Sequence, residues 1–236
     1  MNIRYSFTLK DGSREVFDLQ LDPVSLELIG NTPKELPSWA KLDFHQCPHC
    51  PLSIQTHPYC PLAANLVNIV THFEPLLSYD QVYVEVATAE RLISQDTSVQ
   101  TGISALMGLV IATSGCPHTA FFRPMARFHL PLASEEETIY RATSMYLLAQ
   151  YFLKKEGFQA DLELKGLREI YERIHAVNTA IAERLRAASE KDSALNAIVL
   201  LDMYALAVPL VIEDSLEEIR HLFRPYFTRM RSQMDS

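Results

Sequence analysis

Four cysteines, at positions 47, 50, 60 and 116, are the residues of this 236-residue chain whose type and spacing point most directly to chemistry. Cys47 and Cys50 form a Cys-x2-Cys pair, which lets two thiolates converge on one ion across a tight turn. Cys60 and Cys116 bring the set to four, enough for the tetrahedral shell of zinc or the attachment points of a [4Fe–4S] cluster. Each cysteine is followed by proline, at 48, 51, 61 and 117. Proline fills about 5% of positions in an average chain, so a fourfold coincidence marks the cysteines as one constellation. Proline fixes the backbone just after a ligand. Pro61 also suits the first position of a helix, which sets Cys60 at a helix N-terminus, where a thiolate is stabilised. Full charges keep away: there are none between Asp43 and Glu74, and only Arg123 and Arg127 between Asp96 and Glu135. Two plainer readings stand beside the shared centre. The cysteines can be small buried hydrophobes in a proline-rich loop, or two disulfides, which need an oxidising compartment that nothing else in the chain suggests.

The tripeptide Cys-Pro-His occurs twice, ending at His49 and His118. Either histidine can replace a cysteine as ligand or donate a hydrogen bond to sulfur. From Cys116 to Leu132 runs a segment with Arg123, Arg127, His118, His129, Phe121, Phe122 and Phe128 and no acid. If it is helical, Arg123 and Arg127 share a face and can clamp a carboxylate or phosphate, with His129 beside them. The plainer reading has the arginines neutralise the thiolate centre or pair with acids elsewhere, and the phenylalanines enter the core. A Gly-rich phosphate loop, a His-Glu-x-x-His and a Gly-x-Ser-x-Gly are all lacking. No catalytic residue is assigned, and the question of enzyme activity stays open.

The elements that position these residues are read from periodicity. Ile3, Tyr5, Phe7 and Leu9, then Phe17, Leu19 and Leu21, alternate with polar residues on either side of Lys10-Asp11-Gly12-Ser13, the pattern of a β-hairpin. Val82-Tyr83-Val84-Glu85-Val86 alternates too and adds a possible third strand. Seven prolines between Asp22 and Pro61 rule out long helices there and leave an irregular connector. Helices follow at about 61–73 and 97–114. Ser134 and Glu137 form a capping box that opens a third helix, ending near Gly157, with Ile139, Met145, Leu148, Ala149 and Phe152 as its inner face. A bundle of three more spans roughly 162–188, 192–213 and 215–227; Ser215 and Glu218 start the last, and the apolar helix from Ala194 forms the buried centre.

The fold class is therefore α+β and mainly helical, in one domain over 1–236: a hairpin (1–30), a Pro/Cys-rich connector (31–60) carrying the four-cysteine centre, and a helical body (61–236). With 48% hydrophobic and 21% charged residues the composition is that of a globular chain. A formal charge of −8 opposes binding to nucleic acid or an anionic membrane. Neither a secretory signal nor a membrane span is read, so the expected location is cytoplasmic. The leading function is a zinc- or [4Fe–4S]-binding protein with a regulatory or redox-sensing role, acting through a protein partner or a small anionic ligand, with homo-oligomerisation open. The alternatives are an enzyme using Arg123, Arg127 and His129 on a small anion, and a zinc-stapled interaction scaffold.

Overall fold

A computed structural model describes residues 1–73, 76–188 and 192–228. The hairpin is β1 (Asn2–Leu9) and β2 (Arg14–Leu21), turned through Gly12 at a φ of 85°. It belongs to a larger sheet than the hairpin of two or three strands expected. With β3 (Leu28–Ile29), β4 (Gln81–Ala87) and β5 (Leu92–Ser98), it makes five antiparallel strands in the order β3-β2-β1-β4-β5. Tyr5 sits opposite Phe17 on one side and Val86 on the other, so register carries the alternation of one strand across its neighbours. Ile3, Tyr5, Phe7, Phe17, Leu19, Leu21, Val82, Val84 and Val86 form the buried face. The other face carries ion pairs such as Arg4–Asp18 and Arg14–Glu85.

Two helices cover the buried face: α1 (Pro61–Phe73) and α2 (Val99–Thr113). Phe73 meets Phe7 and Phe17 with ring centroids 4.8 and 5.5 Å apart. Gly102 lets α2 lie against the sheet, since a Cβ there would be 2.9 Å from both Phe7 Cε1 and Val84 Cγ2. Outside α2 packs α6 (Ser193–Ile219), and α5 (Lys165–Ala188) packs on α6, after the short α3 (Arg123–Arg127) and the long α4 (Glu135–Lys155). A second apolar cluster forms where α4, α5 and α6 meet, from Ile139, Ala142, Tyr146, Leu167, Tyr171, Ile174 and Ala205.

Three expectations change. The Ser134 capping box is present and Ile139 is buried as expected, but the rest of the inner face of α4 differs: Ala142, Thr143, Tyr146 and Gln150 are buried, while Leu148 and Phe152 are each 55% exposed. Tyr146 and Gln150 can take the inner face because they are bonded there, whereas the buried Thr143 hydroxyl has no partner among the described residues. Gln150 accepts from the Asp161 amide at 2.9 Å, and Tyr146 donates to Asp161 at 2.8 Å. The expected break before Ser215 is absent, since α6 runs through Ser215 to Ile219, and the interruption falls instead at a 3-10 turn over Arg220–Phe223; the side chain of Ser215 lies outside the described residues. Finally, α6 buries Ala194, Ala197, Ile198 and Ala205 but exposes Val199, Met203 and Leu206, so it is apolar on more sides than it buries.

Candidate functional site

The cysteines arrive from three places in the chain, and separate tethers draw those places together. Cys50 donates its amide to the Cys47 carbonyl at 3.0 Å, closing the Cys-x2-Cys turn. Cys60 precedes α1, and its carbonyl accepts from the Ala64 amide at 2.9 Å as the first helical bond. Its own amide donates to Ala40 at 2.9 Å, and Lys41 bridges Tyr59, so the connector folds back on itself. Cys116 follows Gly115, whose φ of 83° turns the chain out of α2. A Cβ on Gly115 would lie 4.0 Å from Pro61 Cβ, which sets the residues next to Cys116 and Cys60 side by side. Asn65 donates to both Pro61 and Ser114 carbonyls, at 2.9 and 3.4 Å, and fastens the start of α1 to the end of α2. The two Cys-Pro-His tripeptides meet as well: the His118 Nε2 is 2.7 Å from the His49 carbonyl oxygen.

Cys60 and Cys116 are buried, Cys47 and Cys50 partly so, and none is in a disulfide. Burial pushes the Cys47 thiol up to about 12, with Cys60, Cys116 and Cys50 adding to the rise and Arg184 opposing it. Burial also raises the Cys116 thiol; the backbone amides of His118 and Thr119 hold it down in part, while Cys60 and Cys50 raise it further. The four thiols thus lie within electrostatic reach of one another. They do not form a finished coordination shell: among the described residues no group of three or more His, Cys, Asp or Glu side chains is arranged to hold a metal ion.

Arg184, on α5, is 1% exposed and stands among these thiols. It donates to the carbonyls of Trp39 and Lys41, both at 2.7 Å, and Leu42 at 3.1 Å, while its Nε has no partner. It makes no ion pair among the described residues, and burial pulls its pKa down while Cys60, Cys47, Cys50 and the Asp43 carboxylate pull it up. Sequence reasoning missed it, although a signal was present: Arg184 is three residues after Ile181 and seven after Val177, on the stripe that faces the core.

The basic segment does not form the expected clamp. Arg123 pairs with Glu27 at 2.6 Å, and Arg127 lies 5.5 Å above the Phe128 ring. Glu27 comes from the connection between β2 and β3, an acid that spacing along the segment does not reveal. Phe128 is 74% exposed and Phe121 is exposed too; of the three phenylalanines only Phe122 packs inward, against Tyr171. His129 turns away from both arginines. Its Nε2 is 2.5 Å from the Tyr5 hydroxyl, which also donates to the Ala105 carbonyl at 3.1 Å. Burial, helped by the charge of Arg141, lowers His129 to about 3, so its imidazole is neutral.

These features define an α+β protein in which a five-stranded sheet covered by helices brings two buried and two partly buried cysteines together near the Arg184 guanidinium. The chain belongs to a family described as a domain of unknown function (DUF6901), matched over residues 3–224. Comparison with curated proteins and with solved structures gives no match. No described helix is long and apolar enough to cross a membrane.

Proposed function

We propose that this chain is a metal- or cluster-binding protein in which Cys47, Cys50, Cys60 and Cys116 hold one zinc ion or one [4Fe–4S] cluster, with a regulatory or redox-sensing role. The observation that carries the reading is Arg184. A buried cation costs stability unless an anion pairs with it; this guanidinium has a vacant Nε donor, lies within electrostatic reach of Cys60, Cys47, Cys50 and Asp43, and makes no ion pair among the described residues. Neutral thiols leave Asp43, acting at a distance, to offset part of that charge. A metal ion inverts the balance, because a coordinating thiol is deprotonated outright and four thiolates around one centre leave a net negative charge. Arg184 is then the counter-cation, and the amides of His118 and Thr119 are donors to the Cys116 sulfur.

Because the centre joins the connector to both α1 and the end of α2, its loading or oxidation changes the order of the connector. That is how it reports metal or redox state to a partner. The test is purification without oxygen, followed by a visible spectrum and a count of zinc and iron per chain. Brown protein with iron in four-iron proportion supports redox sensing; colourless protein with one zinc supports a structural staple and the scaffold reading. Cys60→Ser and Cys116→Ser are expected to lose the metal. Unchanged metal content in both variants, or neither metal in the wild type, sinks the proposal.

A further inference from the structure

A cavity of about 260 Å³ lies between the two apolar clusters, away from the thiols, and nothing in the cysteine chemistry uses it. Every helix from α2 to α6 contributes to its wall. Leu109 and Ala112 come from α2, Met125 from α3, Ile174 from α5 and Leu201 from α6, and these make most of the wall apolar. The space is half open to solvent and lined mostly by apolar side chains with a few polar groups, the form that small-ligand sites take.

Its polar groups are biased one way. Among the described residues Arg141 supplies the only full charge on the wall, and no Asp or Glu lines it. The Arg141 Nη2 donates to the Met125 and Phe128 carbonyls, both at 3.0 Å, and Nη1 reaches Leu130 at 3.5 Å. That leaves Nε and one Nη1 hydrogen uncommitted, and Arg141 has no ion pair among the described residues. Asn178 is 2% exposed, lines the same cavity, and its Nδ2 has no hydrogen-bond partner. An orphaned amide donor buried in a wall that carries a cation and no acid asks for an acceptor with negative charge.

We propose that this cavity binds a small amphipathic monocarboxylate, its carboxylate received by Arg141 and Asn178 and its apolar body held between the two clusters. A cavity of 150 Å³ accepts benzene, so one of about 260 Å³ has room for about ten non-hydrogen atoms. An eight-carbon straight-chain acid is of that size. The site is separate from the cysteine centre, and this inference does not rest on the metal reading.

The experiment titrates the full chain, with its metal content measured, with octanoate and with octan-1-ol, its uncharged counterpart. Binding is followed by calorimetry and by the methyl resonance of Met125, assigned through Met125→Leu. The expected result is saturable binding of one octanoate per chain, at least tenfold tighter than octan-1-ol, with a shift of the Met125 resonance. Arg141→Met is expected to bring octanoate down to the level of the alcohol. Since Arg141 also caps three carbonyls, Asn178→Leu is the second variant: it removes only an unpartnered amide donor, keeps the shape, and is expected to weaken octanoate several-fold while leaving octan-1-ol unchanged. Equal binding of acid and alcohol, no saturable binding of octanoate, an unmoved Met125 resonance, or wild-type octanoate affinity in Asn178→Leu would each overturn the proposal.

Discussion

Single side chains in this protein are set by what surrounds them more than by their type. His129 has the composition of a pH switch and the environment of a fixed neutral base. Burial and Arg141 lower it to about 3, against an ordinary value near 6.5. Between these values the unfolded chain binds a proton that the folded chain refuses, so His129 lowers stability as pH falls through the window from about 6.5 toward 3. Its share is at most about 1.4 kcal/mol per pH unit. Thermal unfolding of wild type and His129→Gln between pH 7 and 5 should therefore show a steeper fall in the wild type; parallel curves would mean the imidazole titrates normally. Arg184 poses a sharper question. Losing it strands three carbonyls, so Arg184→Met should cost on the order of 3 kcal/mol in any background. If the thiols hold an anionic centre, the cost should be larger by 1 kcal/mol or more, by the order of coupling seen between charged neighbours, than in a Cys60→Ser background, where the centre is lost. Equal costs would leave Arg184 a carbonyl cap and nothing more.

At the scale of elements, Gly102 shows how closely α2 depends on the sheet. Its missing Cβ leaves room for Phe7 and Val84, neither of which can retreat from a ring and strand packed on both sides. Gly102→Ala is expected to cost about 1–3 kcal/mol through overpacking, although alanine favours helix. Unfolding in urea with an unchanged slope and a lower midpoint would bear this out, and a midpoint equal to wild type would not. Local signals made much of this architecture legible. The hairpin was written in alternating side chains around Asp11-Gly12, α1 in the Pro61 start, and α4 in the Ser134–Glu137 box. What escaped was set by distant partners. β5, Leu-Ile-Ser-Gln-Asp-Thr-Ser, lacks a run of alternating apolar residues and is a strand because it pairs with β4 at the open edge of the sheet. The inner face of α4 includes Gln150 because the Asp161 amide meets it there, and α6 continues through Ser215 despite a capping signal. The same division runs through the site. Four Cys-Pro pairs announced the thiols, whereas Arg184, Arg141 and Asn178 look like ordinary helix residues until the packing of α4, α5 and α6 turns them inward.

For the whole molecule, the consequence is an uneven distribution of stability. The sheet, α1 and α2 share one continuous core; Cys60 and Cys116 belong to it, but most of it is made by the apolar side chains of the strands and helices, and it should survive loss of the centre. The connector from 31 to 60 has no helix longer than the short turn Ser38–Ala40. Trp39, Ala40 and Leu42 anchor it in the core, and the rest is held by scattered bonds: Cys60 to Ala40, Leu42 to Pro58, the Lys41–Tyr59 bridge and the three carbonyls on Arg184. A centre that ties Cys47 and Cys50 to Cys60 and Cys116 would add closure to the segment that has least of its own, and segments of that kind open locally before the whole chain unfolds. The connector's only tryptic sites are Lys34 and Lys41. Removing metal with a chelator, or destroying a cluster with oxidant, should therefore speed cleavage at these two lysines at least tenfold. Hydrogen exchange in β1, β2 and β4 should stay slow under the same treatment. The contrast matters more than either half: slowed cutting in loaded protein with an unmoved sheet assigns the centre to the connector, whereas a sheet that loosens together with the connector makes the metal part of global stability. Cleavage that ignores metal altogether would leave the four thiols as core residues, and the sensing role would fall with them.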